Sequence, residues 1–127
     1  MEFRKLGKGA LLAPGSPSTL VISSNHEIWI VDPGAHPKRG EELAMSLDKG
    51  KRKHVLITHS HSDHIAAIPK FVELTGAVVT GPALESCSAR SVGIRKALSF
   101  GAKGSEKLTR VAPALPVKID ETFDPPC

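Results

Sequence analysis

Apolar residues along this chain fall in short runs divided by polar and Gly/Pro punctuation, a pattern of strands and short helices rather than long helices. Thr19-Leu20-Val21-Ile22-Ser23 and Ile28-Trp29-Ile30-Val31 are rich in β-branched residues. The polar Ser24-Asn25-His26-Glu27 between them makes the pair read as a hairpin. After Asp32-Pro33-Gly34, Pro37 is suited to a helix start, with Leu43, Ala44 and Leu47 on one face and Gly50 as the stop. His54-Val55-Leu56-Ile57-Thr58 is a continuous run of the kind buried on both faces of a sheet. A helix over 68–74 closing at Gly76, a strand over 77–80, a third helix between Pro82 and Leu98 weakened by Gly93, and a last short strand over 117–119 complete the reading.

Strand and helix alternate, so the expected class is α/β (α+β), one unit with a mixed sheet and flanking helices. At 127 residues there is room for one core. With 40% hydrophobic and 24% charged residues the composition is that of a folded soluble domain. No window approaches the ~18 apolar residues of a membrane span, and no signal peptide is evident, so the expected setting is cytoplasmic, without a membrane partner. The net charge of +4 is scattered, and only Lys51-Arg52-Lys53 forms a run, read as a solvated turn before a strand. With four Phe, one Trp and no Tyr, a base-stacking surface is not expected, and a small-molecule substrate is favoured over nucleic acid. Cys87 and Cys127 lack disulfide or zinc spacing; Cys87 is expected to be a small buried helical residue.

The concentrated chemistry lies in His59-Ser60-His61-Ser62-Asp63-His64, where the strand at 54–58 ends. Imidazole and carboxylate donors suit zinc, iron or manganese better than calcium or magnesium. His59 and His61 in an extended segment project toward one metal, while a turn through Asp63 and His64 places a carboxylate and an imidazole on a neighbouring one. The competing reading is a polar surface loop, which does not explain why four ligand-type residues gather at a strand end. No serine here has a base and acid beside it free of metal duty, so serine catalysis is rejected. Asp32 has two readings, a turn former in Asp-Pro-Gly or an orienting partner for metal-binding histidines. His26 and His36 read as exposed or capping residues and His54 as structural.

Thr58-His59-Ser60-His61-Ser62-Asp63-His64 resembles the hallmark motif of the metallo-β-lactamase superfamily, and Asp32 matches the aspartate that precedes it in those proteins. The resemblance runs from about Thr19 onward. It implies an αββα sandwich and two divalent metal ions, zinc above all, with iron or manganese as alternatives. His59 and His61 would ligate the first metal and Asp63 and His64 the second, with Asp32 orienting the site. It implies hydrolysis of an ester, thioester, lactone, amide or phosphodiester by a metal-bound hydroxide, with Asp63 orienting the attacking group and moving a proton.

That family completes its sites with further histidines and an aspartate from the C-terminal half of the sandwich. Here no histidine follows His64, and Glu73, Glu85, Glu106, Asp120, Glu121 and Asp124 stand in no matching motif. Residues 1–127 therefore read as a single incomplete domain, the N-terminal half of the sandwich, inactive or nearly so alone. Two other classes stay open: a non-catalytic binding or scaffold domain retaining the fold, and a di-iron redox protein.

Overall fold

The computed structural model describes residues 1–100, 107 and 113–124, with the side chains of 98–100 outside the description. Seven strands lie in one sheet in sequence order: β1 (Arg4–Gly7), β2 (Ala10–Ala13), β3 (Thr19–Ser23), β4 (Glu27–Val31), β5 (Arg52–Leu56), β6 (Val78–Pro82) and β7 (Glu121–Phe123). Strands β1 to β4 pair antiparallel and β4 to β7 parallel. The mixed sheet and flanking helices match the expected class.

Each parallel step needs a crossover. Helix α1 (Pro37–Ser46) carries the chain from β4 to β5, and α2 (Ser62–Ile65) with α3 (Ile68–Thr75) carries it from β5 to β6. His36 caps α1, its ring accepting the Lys38 amide at 3.2 Å. This helix ends at Ser46 rather than running to Gly50, because Leu47 turns extended after its amide reaches Leu43. Gly76 closes α3 in the left-handed conformation. Gly40 of α1 lies so close to α3 that a Cβ there would run into the Ala67 carbonyl.

One sheet face is covered across its central strands. Val21, Ile30, Val55 and Val79 lie side by side across β3 to β6 and share a buried cluster with Leu43 and Ala44 of α1, Leu47 just after it, Ile65 of α2, and Ile68 and Phe71 of α3. The opposite face carries two more apolar rows: Leu12, Leu20, Val31 and Leu56, and Ala10, Ile22, Trp29, His54 and Val78. None of these residues is buried, and Ile22 is 45% exposed. The expectation of burial on both faces of this run is corrected: Val55 and Ile57 are buried on the helix-covered face, whereas His54 and Leu56 face the other side and are only partly buried.

Other expectations are corrected. Strands β1 and β2 precede the expected hairpin. Arg52 and Lys53 belong to β5, and Lys53 is buried with its ammonium on the Lys51 carbonyl, so 51–53 is not a solvated turn. The helix expected between Pro82 and Leu98 is three pieces, a 3-10 turn at Ala83–Glu85, α4 (Ser86–Arg90) and α5 (Val92–Phe100). The break falls at Ser91, whose backbone is extended. Residues 117–119 form no strand: the Val117 amide goes to Ala89 of α4, and pairing with β6 begins only at Glu121. Cys87 is exposed on α4, and Cys127 lies outside the described residues.

Candidate metal centre

Strands β4, β5 and β6 are parallel, so their carboxyl ends share one rim of the sheet, where ligands collect in α/β folds. Asp32 follows β4, the histidine run follows β5, and Glu85 follows β6.

Asp32 has φ +49°, a left-handed conformation that aspartate tolerates better than most residues. Its turn is pinned from several sides. Thr19 Oγ1 donates to the Asp32 carbonyl at 3.0 Å, and Arg39 donates from Nε to the Pro33 carbonyl at 2.9 Å. Gly34, at φ +114°, lies against the Arg39 side chain, donates to the His64 carbonyl and accepts from the Ala67 amide. The Asp32 carboxylate thereby faces the hallmark segment. Oδ1 accepts the Thr58 amide at 2.9 Å; Oδ2 accepts the Thr58 hydroxyl at 2.6 Å and lies 3.0 Å from His64 Nδ1.

These contacts fix the tautomers. The His64 Nδ1 facing a carboxylate oxygen carries the proton, leaving Nε2 with its lone pair. Thr58 has one hydroxyl proton, given to Asp32, so its oxygen accepts from His59 Nδ1, 2.9 Å away. His59 Nε2 is likewise left free. A carboxylate or hydroxyl behind each imidazole is how metal-binding histidines are ordinarily oriented.

Asp32, His59 and His64 each bring a ligand-type atom within 4.8 Å of the others. His61 stands edge-on to His59, ring centroids 4.6 Å apart, and the His59 and His64 centroids are 4.1 Å apart. Asp63 Oδ2 is 3.7 Å from His64 Nε2. All five residues singled out from the sequence therefore meet at one rim. The spacing of a shared ion falls on Asp32, His59 and His64, while His61 and Asp63 stand exposed at its margin. Three imidazoles and two carboxylates, with two Nε2 lone pairs free, fit a transition metal in their donor chemistry.

Burial, followed by the neighbouring His64 and His61, holds the His59 imidazole below its ordinary value of 6.5 against the attraction of Asp32 and Glu85. The site thus favours neutral His59, the form that binds metal.

Glu85, in no sequence motif, is the residue that sequence reasoning missed. Its Oε2 accepts the Ser60 amide at 2.8 Å and lies 3.3 Å from the Ser88 hydroxyl. Ser88 also contacts the Ser60 hydroxyl. Burial raises the Glu85 pKa, but the contacts of Ser60 through its side chain and amide, those of Ser88, and nearby His59 outweigh it and leave the carboxyl below its ordinary range.

A mixed sheet with a histidine–carboxylate cluster at its rim defines an α/β protein with a candidate metal site. The chain belongs to the metallo-beta-lactamase superfamily, whose family model matches residues 12–125. It is 35% identical over 74 residues to a ribonuclease Z of Staphylococcus carnosus, covering 54% of this chain and 24% of that protein. It is 30% identical over 106 residues to a metal-dependent hydrolase of Cupriavidus necator, covering 78% of this chain and 36% of the other. Among solved structures, a metallo-beta-lactamase of Cronobacter sakazakii aligns at TM-score 0.73 with 15% identity over 97% of this chain and 46% of its own. A subclass B3 metallo-beta-lactamase of Bradyrhizobium japonicum aligns at TM-score 0.71 with 18% identity, over 97% and 45%. The chain thus spans about half the length of the enzymes whose fold it shares. No helix among the described residues is long and apolar enough to cross a membrane.

Proposed function

We propose that this chain supplies the N-terminal half of a metal-dependent hydrolase site, in which His59 and His61 hold one divalent cation, Asp63 and His64 a second, and Asp32 orients the imidazoles. The carrying observation is the convergence of Asp32, His59 and His64 at the rim, with Nδ1 of each of these two imidazoles engaged by Thr58 or Asp32 and with His61 and Asp63 beside them. Bound zinc supplies Lewis acidity and brings the pKa of water from about 15.7 to near 7. The protein's own part is orientation: Asp32 fixes the tautomer of His64 directly and that of His59 through Thr58. Asp63, exposed beside His64, takes and returns the proton of the hydrolytic step.

The open, apolar sheet face supports the half-domain reading. Two apolar rows across the strands are what a sheet presents when a second layer packs on it. Two protein ligands per cation also fall short of the three a catalytic zinc ordinarily holds. The relatives include a ribonuclease and hydroxyacylglutathione hydrolases, so the scissile bond stays an ester, thioester, lactone, amide or phosphodiester, with a small molecule favoured.

Cobalt(II) titration of the 127-residue chain tests the reading. Visible d–d absorption that zinc displaces and that the His59→Ala/His64→Ala double variant abolishes is expected, with little hydrolytic turnover by the chain alone. A chain that takes up neither cobalt nor zinc at neutral pH defeats the proposal.

A further inference from the structure

Beyond Ile57, whose amide makes the last bond to β6 through the Thr80 carbonyl at 3.0 Å, the hallmark segment leaves the sheet with no ladder to hold it. Two carboxylates from the flanking loops take over. Asp32, after β4, receives the Thr58 amide; Glu85, after β6, receives the Ser60 amide from the opposite side. Ser60 is the residue between His59 and His61, and it is 4% exposed. Its amide is therefore a buried donor with one carboxylate partner, 25 residues away in sequence. Ser88 braces the same carboxylate and also contacts the Ser60 hydroxyl.

We propose that Glu85 is a positioning residue: by gripping the amide between His59 and His61, it sets the spacing and tilt at which the two imidazoles meet a shared cation. The proposal rests on the metal-site reading above. Without Glu85, the Ser60 amide would lose its carboxylate partner, leaving the Ser88 contact to the Ser60 hydroxyl to hold the residue between the two histidines. A charge-assisted bond to a buried amide is among the stronger single constraints available there. Residues that orient metal ligands from behind are ordinarily worth about 10–100-fold in metal affinity.

The test compares the wild-type chain with Glu85→Ala, Glu85→Gln and Glu85→Asp. Three readouts are taken: Ser60 amide hydrogen exchange and the His59 and His61 ring carbon-bound proton shifts without metal, and the cobalt(II) dissociation constant. Glu85→Ala is expected to lose Ser60 protection, shift both ring signals and weaken cobalt binding about tenfold. Glu85→Gln, which keeps an accepting oxygen, is expected to recover most of the affinity, a rescue that a merely structural role would not produce. If Glu85→Ala does not fold, Glu85→Asp, with its carboxylate drawn back by one methylene, takes its place with the same expected losses. Wild-type cobalt affinity in a folded Glu85→Ala or Glu85→Asp chain overturns the proposal. If the wild-type chain itself binds no cobalt, the metal-site reading falls. The ring signals then decide: movement in Glu85→Ala sustains the positioning role, and none overturns it.

Discussion

Asp32 Oδ2 stands 3.0 Å from Nδ1 of His64, joining two residues 32 positions apart. The same carboxylate also receives both the amide and the hydroxyl of Thr58. Asp32→Asn therefore makes a sharp probe, because asparagine also tolerates the left-handed backbone at this position. With one oxygen replaced by an NH2 group, either the Thr58 amide, or the Thr58 hydroxyl together with His64 Nδ1, faces a donor in place of an acceptor. Cobalt affinity is expected to fall about 10–100-fold, as when a ligand's orienting partner is lost. Chelator competition at fixed pH measures it, and an unchanged affinity would show that Asp32 does not orient the site.

His59 gives the metal-free chain a pH dependence of definite sign. Its folded pKa lies below 6.5, so as pH falls the unfolded chain binds the proton first. The contribution is fully present above 6.5 and is lost as pH drops through the folded value. Urea midpoints in chelator should decline more steeply from pH 7 to 5.5 for wild type than for His59→Gln. Parallel pH profiles for the two chains would contradict this.

Gly40 reports on the contact between α1 and α3. An alanine methyl there meets the Ala67 carbonyl and the Phe71 amide, and both are backbone groups that a rotamer change does not move. Gly40→Ala should destabilise the fold by about 1–3 kcal/mol, the usual cost of overpacking, even though alanine is the better helix former. Urea denaturation at neutral pH measures it; a stabilised variant would mean that the helices separate readily.

The uncovered sheet face should be sticky. Ile22 is 45% exposed beside the half-buried Trp29, and Phe123, paired with Pro82 on the edge strand, is 42% exposed. Contiguous apolar surface of this kind binds dyes or other proteins. The chain is expected to bind an anilinonaphthalene dye when fully folded, with Ile22→Thr/Phe123→Thr lowering the signal several-fold at unchanged far-UV circular dichroism. Equal dye binding by the double variant would place the sticky surface elsewhere.

Much of this arrangement was legible in the residues themselves. The runs at β3, β4 and β6 stand out because β-branched residues dominate them, and the dense histidine cluster marks the end of β5. The first hairpin is hidden because Arg4–Gly7 is wholly exposed and Ala10–Ala13 contains no β-branched residue. The three-piece helical region hides its break at Ser91, whose type does not require one. Asp32 is found only through its place before the hallmark, since Asp-Pro-Gly alone reads as a turn. Glu85 gives no local signal, because its role arises when parallel pairing of β5 and β6 brings the two loops together.

The candidate centre exists only in the folded sheet. Three loops that are remote along the polypeptide become neighbours only when β4, β5 and β6 align in parallel. An isolated peptide spanning 54–67 would keep every histidine yet lack both carboxylate braces, and should chelate cations no more tightly than an ordinary histidine-rich oligomer. On the metal-site reading, affinity for a cation is expected to be a property of the assembled sheet, acquired in the same cooperative event as folding and lost with it.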